Sequence, residues 1–123
     1  FSTCINDYLS RELNVSTTLP YEVLTGRVWP WDLSNAQNEY VNVAPSLREA
    51  IQMNPSLRVW VLNGYYDLAT PFYGTEYTFS PMGLPGSLQK NVSMSYYSAG
   101  HMMYLLKPSL IQMKTDAKKF YAQ

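Results

Sequence analysis

At 123 residues the chain has the size of one domain, long enough to bury about two-thirds of its unfolded surface. Nine basic residues balance nine acidic ones, which leaves neither a basic face for nucleic acid nor an acidic tail for a basic partner. A composition of 46% hydrophobic and 15% aromatic residues excludes the disordered and fibrous classes, and no apolar run has the length of a membrane-spanning helix.

The elements follow in chain order. "TCINDYLSREL" (3–13) sets Ile5, Tyr8, Leu9 and Leu13 at helical spacing, with Thr3 as the expected N-cap. Residues 14–45 are dense in turn formers and read as a long irregular segment, with at most a short strand or helix near 36–43. Ser46 and Glu49 form a capping-box pattern that predicts a helix over 46–53, stopped by Asn54-Pro55. "LRVWVLNG" (57–64) predicts a strand buried on both faces. Thr70 and Pro71 supply an N-cap and a first-turn proline for a helix over 71–79. "SPMGLPG" reads as a loop, 91–97 as a second strand, and Pro108 as the start of a C-terminal helix.

Strands separated by helices predict a parallel sheet of the α/β class. Two parallel strands with flanking helices are not a complete sheet, because parallel sheets need several strands and both faces covered. The chain is therefore expected to be the end of a larger α/β domain. Its first residue is Phe1, not methionine, so an upstream portion is expected to be missing, and the lack of a signal-peptide pattern carries no conclusion about the parent protein.

In open α/β sheets functional side chains gather beyond the carboxyl ends of the strands. Two polar residues fall there: Asp67, in "NGYYDLATP", and His101, the only histidine, in "YYSAGHMM". Loops leaving adjacent parallel strands can bring the two together, since such strands lie about 4.8 Å apart. An aspartate that accepts a hydrogen bond from one imidazole nitrogen fixes the tautomer and leaves the other nitrogen as a base. The N-terminus of the helix after Thr70 is placed to favour an ionised Asp67, and Gly64 and Gly100 to permit tight turns. Each residue also has a plainer reading, as a turn aspartate or a core histidine; the order Asp then His after consecutive strands raises the catalytic one. The lone cysteine, Cys4, has no partner for a disulfide or a zinc site, and no metal or other cofactor is expected.

At these residues "RVWVLNGYYDLATPF" and "YYSAGHMMYLLKPSL" resemble the C-terminal portion of serine carboxypeptidases, closest to their bacterial branch. "YEVLTGRVWPWD" and "YVNVAPSLREAI" resemble the segments that precede it there. The resemblance implies an α/β-hydrolase fold, removal of C-terminal residues from peptides, and a Ser-Asp-His triad. Asp67 and His101 match the triad aspartate and histidine, and Met102 matches a methionine that lines the pocket for the substrate's C-terminal residue. Better-known eukaryotic members continue from Gly-His with Val-Pro, where this chain has Met102-Met103. Plain core packing is the competing reading for Met102 and the favoured one for Met103.

No Gly-x-Ser-x-Gly elbow occurs in the 123 residues, so the chain would supply the aspartate and histidine but not the nucleophile, and is expected to be inactive alone. On this reading residues 1–123 are the C-terminal fragment of a single α/β-hydrolase domain, with 58–121 carrying the Asp and His. Its partners would be a peptide substrate and the missing N-terminal part of the same protein, with self-association of the incomplete sheet; nucleic acid and membrane are not expected. A secreted or periplasmic location is implied by the resemblance only. Two rival readings stay open: another acyl hydrolase on the same fold, esterase-like, and a non-catalytic interaction domain. Asn14-Val15-Ser16 and Asn91-Val92-Ser93 fit the glycosylation pattern, and Arg27 stands near Trp29 and Trp31, which read as core anchors ahead of the alternative, a cation–aromatic contact with Arg27.

Overall fold

A computed structural model describes residues 1–36 and 39–122, with only the backbone described at Asn35. The chain divides into two compact units, Phe1–Val41 and Asn42–Gln123.

The first unit opens with helix α1, Ser2–Asp7, which continues as a π-helical turn over Tyr8–Glu12. Phe1 holds the cap position and no side chain caps the helix, so Thr3 lies inside it and not at its end. Asn14 closes the segment in the left-handed conformation (φ 52°), a role asparagine fills with little strain. Asn6 ties α1 to the following loop: its amide donates to the Tyr21 carbonyl (3.1 Å) and its Oδ1 accepts the Tyr21 N–H (2.8 Å). The rest of the unit is irregular apart from short 3-10 turns at Gly26–Val28 and Ser34–Ala36. Of the short element expected near 36–43, residues 37 and 38 lie outside the described residues, and 39–43 form neither helix nor strand. Trp29 and Trp31 pack on each other (6.3 Å) but both stay exposed, so neither is a core anchor; Arg27 pairs instead with Glu22 (3.1 Å).

The second unit is mixed α/β, in the order α2 (Ala44–Met53), β1 (Val59–Gly64), α3 (Phe72–Phe79), β2 (Val92–Tyr97) and α4 (Lys107–Tyr121). β1 and β2 pair in parallel with Val59 opposite Val92 and Gly64 opposite Tyr97, so both strands end level. Side chains alternate between the two faces. On one face Trp60 donates to Ser95 Oγ (2.9 Å) and stacks on Phe120 of α4 (5.7 Å), while the Tyr97 hydroxyl reaches Asp116 (3.2 Å). On the other, the Tyr96 hydroxyl donates to Glu76 of α3 (2.6 Å), which together with burial pushes Tyr96 up to about 12. Tyr65, Phe72 and Tyr96 form an aromatic cluster on that side, with centroids 5.4–6.1 Å apart. The two helices thus cover opposite faces of the pair.

Tyr97, Ala99 and Met103 make the buried cluster, flanked by Leu62 and Met113. Met103 is core, as its plain reading held. The expectation of a β1 buried on both faces is not met: Val59–Leu62 are half-buried, since two strands and two helices leave much of their surface uncovered. The capping box is not used either. Helix α2 begins at Ala44 with Pro45 in its first turn, and the Asn42 side chain receives the Ala44 N–H (3.0 Å). Pro45 decides the start, because a first-turn proline forfeits no hydrogen bond and has its φ preset; Ser46 is then already helical. Asn91 ends a 3-10 segment, Gly86–Asn91, that lacks any sequence periodicity. It is buried, and its amide donates to the carbonyls of Pro55 (2.7 Å) and Leu57 (2.8 Å), which removes it as a glycan acceptor.

Candidate active site

The level ends of β1 and β2 place two loops side by side, and backbone bonds continue the pairing past both strands. Tyr65 N–H donates to the Tyr97 carbonyl (2.9 Å) and Tyr66 N–H to the Ala99 carbonyl (3.0 Å). Gly64 makes this approach possible. A Cβ there would stand 2.7 Å from the Ala99 carbonyl and collide with the Gly100 carbonyl as well. Its lack of a side chain, rather than an unusual φ, is what the site requires. Gly100 is not under the same constraint, for an added Cβ would meet the Tyr66 carbonyl at 3.8 Å, an ordinary contact.

From these loops Asp67 and His101 meet, with Asp67 Oδ2 2.9 Å from His101 Nδ1. The carboxylate is enclosed. Oδ1 accepts the N–H groups of Ala69 (2.8 Å) and Thr70 (2.9 Å), and Oδ2 accepts the Thr70 hydroxyl (2.7 Å) beside the imidazole. The Thr70 N–H and hydroxyl, then His101 and the Ala69 N–H, hold Asp67 far below the usual carboxylate range despite its burial. An ionised carboxylate only accepts, so Nδ1 carries a proton, and in the neutral imidazole Nε2 is the nitrogen with the free lone pair. Among the described residues nothing bonds Nε2. The His101 side chain is 63% exposed, against 4% for Asp67.

The Thr70 side chain differs from expectation. Pro71 is the cap of α3 and no side chain caps that helix, while the Thr70 hydroxyl turns to Asp67. The Asp67 charge is held by loop donors, not by a threonine-capped helix. The Asx pattern explains the backbone N–H bonds from Ala69 and Thr70 to Asp67, but no sequence signal points to the Thr70 hydroxyl bond. Met102 follows His101 and is 43% exposed, so its core reading fails. No group of three or more His, Cys, Asp or Glu side chains converges among the described residues, and no helix among them is long and apolar enough to cross a membrane. Cys4 is exposed.

A buried, ionised carboxylate orienting an exposed imidazole at the carboxyl ends of parallel strands is an arrangement suited to general-base chemistry. The chain is similar to "Serine carboxypeptidase-like 36" of Arabidopsis thaliana, with 32% identity over 94 residues, 66% of this chain. It spans only 18% of the length of that curated relative. No family model matches the chain, and no solved structure matches it.

Proposed function

We propose that this chain is the C-terminal part of a serine-type carboxypeptidase of the α/β-hydrolase fold, on its bacterial branch by the wording around Gly100-His101-Met102. In the longer protein a serine attacks the scissile carbonyl and passes its proton to His101 Nε2. Asp67 holds the imidazole in the required tautomer and stabilises the imidazolium; the same proton then goes to the leaving amine. Met102, exposed beside the base, lines the pocket for the substrate's C-terminal residue. Residues 1–123 belong on this reading to one domain, whose remaining strands extend the two-stranded sheet. The observation that carries the proposal is the 2.9 Å Asp67–His101 bond with Nε2 open. The likeness to a serine carboxypeptidase-like protein supports it.

Asp67→Asn in the longer protein tests this reading. An amide side chain favours the wrong imidazole tautomer, and kcat for release of C-terminal residues should fall about 10⁴-fold with KM little changed. Turnover within a few-fold of wild type would reject it. The 123-residue chain, which carries no Gly-x-Ser-x-Gly, should release no amino acid from peptides. Left without the upstream strands, it should self-associate through its uncovered sheet.

A further inference from the structure

Thr70 makes contacts that neither helix formation nor the turn requires. Its backbone N–H already serves Asp67 Oδ1, as any residue at this position could. Its hydroxyl donates to Oδ2, the carboxylate oxygen that faces His101, at 2.7 Å. Having given its hydrogen to Oδ2, Thr70 Oγ1 still has lone pairs, and it stands 3.4 Å from His101 Nδ1. Three groups thus close on one another: Asp67 Oδ2, Thr70 Oγ1 and His101 Nδ1.

We propose that Thr70 is a positioning residue for His101, fixing both the oxygen that receives the Nδ1–H and the ring that presents it. The proposal rests on the proposed role of the Asp67–His101 pair. With one lone pair of Oδ2 occupied by the hydroxyl, the imidazole is directed to the other. The buried carboxylate cannot then rotate without breaking a bond at each oxygen. The Thr70 oxygen provides a second, longer acceptor for the same Nδ1–H, so a ring that swings away from Oδ2 still meets an acceptor. Among the groups that hold Asp67 ionised, Thr70 comes first, through its N–H and its hydroxyl, ahead of His101 and the Ala69 N–H.

In the longer protein labelled with ¹⁵N-histidine, the ring signal that disappears in His101→Ala is that of His101, and in wild type it should show a downfield Nδ1–H proton and an unprotonated Nε2. Thr70→Val keeps the shape and the backbone N–H but removes the hydroxyl; it should weaken or abolish the Nδ1–H resonance and mix the tautomers while the backbone amide spectrum stays native. Thr70→Ser, which restores the hydroxyl, should match wild type. In the longer protein Thr70→Val should lower kcat about tenfold at unchanged KM, the scale of one hydrogen bond acting on a rate. Asp67→Asn separates this proposal from the one it rests on. If Asp67→Asn loses the Nδ1–H signal but Thr70→Val keeps it, Thr70 is not a positioning residue and the pair stands. If Asp67→Asn keeps it, both readings fall. A Thr70→Ser chain that loses the signal also overturns the role of the hydroxyl.

Discussion

The loops that leave β1 and β2 carry one member of the Asp67–His101 pair each and treat it in opposite ways. Asp67 sits among four donors, two backbone N–H groups, a hydroxyl and the imidazole, and is nearly inaccessible. His101 is largely exposed, with Asp67 Oδ2 as its close partner and Thr70 Oγ1 beyond. The difference separates two tasks. A charge that orients must not move or titrate, and enclosure by donors ensures both. A base that exchanges protons with a substrate must reach solvent space, so it is held through one nitrogen only.

Disabling each side of that pair should therefore have different consequences. His101→Ala in the longer protein removes the base itself and should cost about a millionfold in kcat, more than any change at Asp67, with KM for peptide largely kept. Gly64→Ala attacks the juxtaposition of the loops: its Cβ collides with backbone carbonyls that cannot yield, and the longer protein should lose about 2–3 kcal/mol in urea unfolding. Gly100→Ala, across the same gap, meets an ordinary contact and should stay within about 1 kcal/mol of wild type. The contrast between the glycines vanishes if the loops do not approach as described.

Acid should act on the aspartate loop. Asp67 titrates lower folded than unfolded, so its contribution is fully present above the ordinary carboxylate value and fades as pH falls through the depressed folded value. Urea midpoints below about pH 4 should drop more steeply for wild type than for Asp67→Asn, which has no carboxylate to protonate. Equal slopes would mean that the carboxylate is not held as described. The smallest effect is expected at Met102, which is partly exposed and outside the bonded group; Met102→Ala should change KM for substrates with bulky C-terminal residues several-fold and leave kcat nearly intact.

How much of this was legible in the sequence follows from what decides each feature. The strands were, because "VWVLNG" and "VSMSYY" are short β-rich runs bounded by turn residues, and their parallel pairing followed from the intervening helix. Asp67 and His101 were singled out by position, one after each strand, and by the resemblance of the segments around them. The helix caps were not legible: Thr3, Ser46 and Thr70 all look like caps, yet none caps, whereas Pro108 does mark the first turn of α4. At α2 a proline one residue earlier fixed the start, and at Thr70 the hydroxyl found a stronger, charged acceptor. Such choices depend on which groups the fold brings close, and a sequence pattern does not carry that. The burial of Met103 and the exposure of Met102 were separable only once the 3-10 turn at Met103–Leu105 turned one inward and left the other near His101.

The claim that His101 serves a serine outside this chain is tested most directly by a fluorophosphonate, which labels a serine only when a neighbouring base activates it. In the longer protein one serine, within a Gly-x-Ser-x-Gly, should be phosphonylated in wild type and unlabelled in His101→Ala. Absence of labelling in wild type, or equal labelling in His101→Ala, would contradict the account.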